Sequence, residues 1–588
     1  MPYEQTRWKL DALMPGGDQA ALDQALAVHE KSVKKVERWR GRLKPALTAK
    51  DFQALLDDFE VMVRAGTRLG AFAALRFYAD TQDPAALAYF SQMQDRLAQV
   101  QNRTLFFSLW WKALDDKRAA KLMAGAGNRR YWLEAMRHFK PHTLSEAEEK
   151  VINLKDVSGF SALDNVYDML TSAFKFTLEV DGQKQTLTRD ALMVYARHPN
   201  ADLRRAAYQE LYRVYAEQAP VLAQIYRSMM TDWRNENVGL RQFKTPIAVR
   251  NLANDLPDKV VATLLKVIRQ NAGVFQRYFE LKAKWLGQPR LRRYDLYAPL
   301  APADRKIAYP DGVQMVLETF GEFSPAVADA ARQVFDAGHV DAEVRPGKRG
   351  GAFCLAALPE LPPWVLLNYT GRARDVAVIA HELGHAIHYV LAGGNSALTY
   401  HASLPMAETA SVFAEMLLNE KLLATEPDPA VRRDILAASI DDAYATVGRQ
   451  GYFALWEQEA HELVRQGKTA DEMAARYLEL LRAQFGSAVE VSEEFQWEWV
   501  SIPHFYGTPF YVYAYSFGQL LVLALYQMYK REGEAFKAKY LKILTYGGSE
   551  APARILKEAG INIASEAFWQ GGYDVIKGMI AELEKLSP

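Results

Sequence analysis

The chain has 588 residues, of which 71 are basic and 71 acidic, so its formal net charge is zero. Apolar residues make up 49% and charged residues 24%, the balance of a globular protein, and the cancelled charge argues against a nucleic-acid surface or a basic membrane arm. The one cysteine, Cys354, rules out an internal disulfide and suits a reducing compartment. No apolar run reaches the length of a membrane span, and the opening Met1-Pro2-Tyr3-Glu4 stretch has no apolar signal core.

Apolar spacing predicts helices over 18–48, 50–78, 84–115 and 117–139, dominated by Ala, Leu, Gln, Arg and Lys. Within them, the aromatic run from Phe106 to Trp111 reads as helix–helix core. At 174–187 two short alternating runs flank Asp181-Gly182, a strong hairpin signal. Thr188-Arg189-Asp190 then opens a helix. His198-Pro199-Asn200 marks a turn, and Asp202 caps a long helix beyond it. A domain boundary is expected here, giving a helical N-terminal lobe with a short hairpin over 1–195 and a helical catalytic domain over 196–588.

Helices follow at about 202–237, 257–285 and 310–337. Glycine-rich Gly347–Gly351 and the extended run Leu361–Tyr369 then predict a small sheet. The GxxxxGK[ST] order of a phosphate-binding loop is absent, so these glycines read as sites of close backbone approach.

Asp375 to His388 reads as a helix whose back carries Val376, Ile379, Leu383 and Ile387. Four residues apart on a helix, His381 and His385 stand one above the other and can share a metal ion, with Glu382 beside them to hold a metal-bound water. Zinc accepts neutral imidazole at about 2.0–2.1 Å, and in catalytic sites it uses three protein ligands plus a water. HExxH on a helix is the pattern that geometry produces. His461-Glu462-Leu463 starts the same way but has Arg465 where the second histidine should be, and reads as a surface helix.

Four residues are open as the third ligand: His388, His401, Glu408 and Glu415. His388 lies on nearly the same face as His381, but one helix does not easily surround a tetrahedral ion. His401 sits in a loop. Glu408 and Glu415 are seven apart on a helix predicted over 406–421 and share a face. Packed antiparallel, that helix would offer Glu408 as a ligand and Glu415 as an acceptor for a ligand histidine's other nitrogen. Further helices are expected at about 428–466 and 470–485, and after a Trp- and Tyr-rich stretch from 496 to 515, on to 586.

On these residues the chain resembles oligoendopeptidase F, within the thimet oligopeptidase family of zinc metallopeptidases. The resemblance is carried by Gly347–Cys354, Leu367-Asn368-Tyr369, Asp375–His388, Ala407–Glu415, Arg449-Gln450 with Phe453, His504-Phe505-Tyr506, Phe510–Tyr515, Tyr546–Ser549 and Phe568–Tyr573. It covers nearly the whole chain. It implies one zinc per chain, bound by His381, His385 and Glu408, with Glu382 as base. It also implies a mainly α, bilobed helical fold with a deep substrate channel and a small β-sheet beside the HExxH helix. The 347–354 stretch would be an edge strand to which a peptide adds.

The tetrahedral oxyanion needs donors beyond the metal, and His504 and the tyrosines after it are the candidates. If 508–530 is helical, Tyr511 and Tyr515 share a face and Tyr513 points elsewhere. The implied activity is zinc-dependent hydrolysis of internal bonds in short unstructured peptides, in the cytoplasm, with no nucleic-acid or membrane partner. Nothing in the sequence sets an oligomeric state. A carboxypeptidase or dipeptidyl carboxypeptidase would instead need a cationic pocket for the substrate's terminal carboxylate. A peptide-binding scaffold with a vestigial site predicts loss of Glu382 or a ligand, yet all are present. A holdase would bind peptides without metal dependence.

Overall fold

Runs of strong helix formers with one apolar stripe make up most of the chain, and 71% of it is helical. The structure, a computed structural model, describes residues 3–300 and 306–586. The chain divides into two compact units, each drawn from three separated segments. The first comprises Met1–Pro141, Asp304–Ala424 and Met528–Asn562; the second comprises His142–Ala303, Thr425–Gln527 and Ile563–Pro588. This differs from the sequential lobes expected over 1–195 and 196–588. A turn signal marks where the chain reverses, whereas unit membership depends on which apolar faces meet across long sequence distances.

In the first unit, helices Gln19–Glu37, Ala49–Ala79 and Pro84–Ala113 pack in sequence, capped by Asp18, Thr48 and Asp83. The helix expected over 18–48 stops at Glu37. Beyond it the Trp39 indole N–H donates to Asp58 at 2.9 Å, and the chain turns through a short 3-10 segment. The helix expected over 117–139 is two, Asp116–Met123 and Arg130–His138, split where Gly127 takes φ +58°. Phe107 and Trp111 are buried against Phe52, Leu55 and Leu133, so the aromatic run is core, as its spacing suggests.

A three-stranded sheet supports the HExxH helix. Trp364–Leu366 is central, parallel to Val340–Asp341 and antiparallel to the edge strand Phe353–Leu355. Trp364 and Leu366 are buried among Trp8, Leu13, Leu69 and Phe72 of the N-terminal segment. The glycine-rich segment is tied to this sheet by Lys348. Its buried ammonium donates to the Asp341, Glu343 and Leu367 carbonyls at 2.6–3.0 Å and pairs with the Asp341 carboxylate at 2.8 Å. The helix expected over 310–337 is broken at Ser324-Pro325, into Tyr309–Phe323 and Pro325–Asp336.

The second unit holds the expected hairpin, Phe176–Val180 paired with Gln183–Leu187, with Asp181 and Gly182 both at positive φ. Helices Glu146–Ser158 and Phe160–Ala173 precede it. The long helix Ala201–Trp233 is capped by Asn200, not Asp202: the Asn200 side chain accepts from the amides of Asp202 and Leu203. The expected span to 237 ends in a π-helical turn, Arg234–Leu240. The 257–285 span is two helices meeting at Asn271, and the 428–466 span is interrupted by a π turn at Tyr444–Arg449. The core of this unit contains a buried polar knot around Glu498. Glu498 accepts from Arg293 at 3.0 Å, Arg449 at 2.8 Å and Tyr477 at 3.1 Å. Among the described residues no helix is long and apolar enough to cross a membrane.

Candidate metal centre

The HExxH helix spans Ala373–Leu391. It starts where Asp375 accepts from the amides of Thr370 at 2.7 Å and Arg372 at 3.1 Å, closing its first turn. Val376, Ile379, Leu383 and Ile387 are all buried, which fixes the helix's rotation. His381 and His385 therefore come together, with Nε2 atoms 3.2 Å apart. Glu408 Oε2 lies 3.4 Å from each of them. Donors placed tetrahedrally around one zinc at about 2.05 Å must be about 3.3 Å from each other. The triangle has that size, and two imidazoles with one carboxylate are a donor set suited to zinc. The residues present fit the metal.

Each donor is held from behind. Glu415 bonds His381 Nδ1, and the Ala407 backbone engages His385. Ser411 Oγ donates to Glu408 Oε2 at 2.6 Å. Burial pushes His381 down, but the Glu415 bond and the Glu415, Glu408 and Glu382 charges outweigh it and raise it to about 9. Burial lowers His385 to about 4. Glu382 is 6% exposed and pushed up to about 7, by burial first and then by Glu408 and Glu415, against the opposing effect of His381. Its Oε2 has no hydrogen-bond partner. An acceptor left unmatched beside three convergent donor atoms is the feature expected of a proton-accepting group.

Glu408 and Glu415 do not ride on one continuous helix. Leu404–Ala407 is a single turn, Glu408–Ala410 is a bend, and the helix resumes as Ser411–Thr425. The break sits where the HExxH helix crosses. A Cβ on Gly384 would stand 2.5 Å from Ser411 Cα and 2.7 Å from the Ala410 carbonyl. Glycine at 384 lets the Glu408 bend reach the histidines. Of the other expected ligands, His388 is buried and pushed down to about 4 by burial and then by His385; it stands outside the donor group. His401 packs against Tyr389 and Tyr400, with ring centroids 5.3 and 5.1 Å away. One further acidic cluster occurs among the described residues, Asp156, Asp232 and Glu236 in the second unit. It lacks a nitrogen donor, and Arg241 engages its Glu236 at 2.6 Å.

His504, Tyr511 and Tyr515 belong to the second unit and gather into one cluster. Tyr511 stacks on His504 with centroids 5.7 Å apart. The Tyr515 ring stands edge-on to Tyr511 at 5.1 Å, and its hydroxyl is 3.5 Å from His504 Nε2. Burial and then the Arg449 charge hold His504 below its usual value. The single helix considered for 508–530 does not form. His504–Gly507 is one turn, a bend follows, and the helix begins at Tyr513. Tyr511 therefore meets Tyr515 through the bend and not along a helix face. Tyr513 points away and accepts from Asn254 at 2.9 Å.

The His461-Glu462-Leu463 stretch is not a surface feature. His461 is 1% exposed and stacks on Phe510, while Glu462 faces solvent and pairs with Arg465. A histidine four residues after Glu457, in a run holding Tyr452, Phe453, Leu455 and Trp456, was the available signal for a buried face. Ser411 and Glu457 were not singled out from the sequence, and no local pattern marks either.

The sequence profile of peptidase family M3 matches residues 194–575, and that of the oligopeptidase F N-terminal region matches residues 110–176. An oligoendopeptidase F homologue of Borreliella burgdorferi is 26% identical over 99% of this chain and 98% of its own. The oligopeptidase PepF of Bacillus subtilis is 25% identical over 98% of this chain and 87% of its own. The crystal structure of oligoendopeptidase F from Enterococcus faecium superposes with a TM-score of 0.72 at 22% identity, covering 96% of this chain and 99% of that one.

Proposed function

This chain belongs to peptidase family M3 and is a metallo-oligopeptidase of the oligoendopeptidase F kind, and from that premise we propose that it uses zinc and Glu382 to hydrolyse internal bonds of short unstructured peptides. The observation that carries the reading is the 3.2, 3.4 and 3.4 Å triangle of His381, His385 and Glu408 beside the unpartnered Glu382 Oε2. Bound there, zinc supplies Lewis acidity, lowering the pKa of a water toward about 7 and polarising the scissile carbonyl. Glu382 accepts the proton that the attacking water loses. It then delivers that proton to the departing amine as the C–N bond breaks, so the peptide gains one water and Glu382 ends as it began. Glu415 and Ser411 hold His381 and Glu408 in register. His504, Tyr511 and Tyr515 are assigned as donors to the oxyanion. The edge strand Phe353–Leu355 is assigned to pair with the backbone of an extended substrate, which suits unfolded peptides. The single cysteine suits the reducing cytoplasm, where we place the reaction.

The deciding experiment is cleavage of a quenched fluorescent oligopeptide by wild type and Glu382→Gln, with bound metal determined on both. We expect close to one zinc per chain in each protein and a fall of about 10²–10⁴ in kcat for the variant. Zinc-loaded wild type that turns over no peptide, or a variant as active as wild type, would overturn the assignment.

A further inference from the structure

Phe510 adopts φ +59°, a left-handed conformation that bulky residues avoid; among the described residues only Asp181, Gln242 and Asp255 are other non-glycine cases. It directly precedes Tyr511. The bend that holds it is gripped by side chains from elsewhere in the second unit. The Phe510 amide donates to Glu457 Oε1 at 2.6 Å, and Arg250 Nε donates to the Pro509 carbonyl at 3.1 Å. The His461 ring stacks on the Phe510 ring at 4.7 Å, and Asn254 fixes the Tyr513 hydroxyl just beyond. Glu457 and His461 lie four apart on the helix Gln450–Arg465, so one helix face supplies both the acceptor and the ring.

Glu457 is completely buried, an expensive place for a carboxyl group. Its Oε2 has no partner, so its one hydrogen bond is to the Phe510 amide. We infer that Glu457 is a positioning residue for the His504–Tyr511–Tyr515 cluster: by holding the Phe510 amide it sets the strained bend from which Tyr511 reaches its place between His504 and Tyr515. The inference rests on the proposed role of those tyrosines as oxyanion donors. Burial pushes the Glu457 carboxyl up to about 8, against the Phe510 amide and Arg250, so near neutrality it is largely uncharged. Glutamine is then its close mimic: the amide oxygen accepts from Phe510 as the acid's carbonyl does.

The test compares kcat, KM, bound zinc and melting temperature for wild type, Glu457→Gln, Glu457→Leu, Tyr511→Phe and the Glu457→Leu/Tyr511→Phe pair on one quenched peptide. Glu457→Gln should keep kcat within about threefold of wild type. Glu457→Leu should lose about 10–100-fold in kcat with KM and zinc content unchanged. The double variant should be no slower than the worse single one, because both changes disable the same donor. Should Glu457→Leu fail to fold, Glu457→Asp, whose carboxyl falls one methylene short of the amide, is read the same way. Full activity in Glu457→Leu or Glu457→Asp, losses that multiply with Tyr511→Phe, or a loss confined to KM would each overturn the inference. A Tyr511→Phe enzyme with wild-type kcat would instead remove the donor role of Tyr511, and the inference with it, while zinc binding and Glu382 dependence stood.

Discussion

Gly384 and Ser411 approach so closely that a side-chain carbon on residue 384 would lie 2.5 Å from Ser411 Cα. Glycine at the fourth position of His381-Glu382-Leu383-Gly384-His385 is thus what allows the bend at Glu408 to dock on the HExxH helix. Gly384→Ala should push that bend outward and carry Glu408 away from the two imidazoles. The expected outcome is a folded protein with zinc affinity weakened about 10–100-fold, measured by titration against a competing chelator. Wild-type affinity in this variant would mean that the bend shifts without moving Glu408.

The bond from Glu415 to His381 Nδ1 fixes how the ring is turned and leaves Nε2 toward His385 and Glu408. Removing it in Glu415→Ala should weaken zinc binding about 10–100-fold while leaving helix content intact. Faster zinc release in stopped-flow with a chromogenic chelator is the direct readout. An unchanged release rate would show that helix packing alone orients His381.

An enzyme that reads a substrate's terminal carboxylate needs a positive partner for it. An endopeptidase of the kind proposed above makes no use of that carboxylate, so amidating a peptide's C-terminus should leave internal cleavage within about twofold of the free acid. Loss of cleavage on amidation would favour a carboxypeptidase-like activity.

Glu457 also predicts a pH dependence of stability. Its folded value, near 8, lies above the ordinary carboxyl value, so between about 4.3 and 8 the folded state holds a proton that the unfolded state has released. Stability from this group is complete below about 4.3 and is lost as pH rises through about 8. The groups facing it are Phe510, Arg250 and Tyr226, with His461 on the same helix. Melting curves from pH 5 to 8.5 should show wild type losing stability relative to Glu457→Gln as pH increases. Parallel curves would mean that Glu457 is ionised in the fold.

The periodicity around His381 was enough to bring the His381 and His385 rings together, because a helix's face follows from local spacing alone. Helical spacing also singled out Glu408 and Glu415, but the single helix that spacing assumed is broken at 408–410, and the bend there, not a shared helix face, brings Glu408 to the histidines. The Asp181-Gly182 hairpin and the buried Phe107 and Trp111 were also local matters. Other features depended on residues far apart in the chain. The bend at Glu408 answers to a glycine 24 positions earlier. His461 is buried because Phe510 stacks on it, and Tyr511 leaves the helix because Glu457 and Arg250 hold the preceding bend. By itself, then, the sequence determined which side chains stack as candidate ligands on the HExxH helix and which stripes are apolar, since spacing on a helix dictates direction. The tertiary structure alone decided how the three segments of each unit join, where helices break and which buried carboxyl holds which amide, since those depend on packing between stretches whose separation no local pattern encodes.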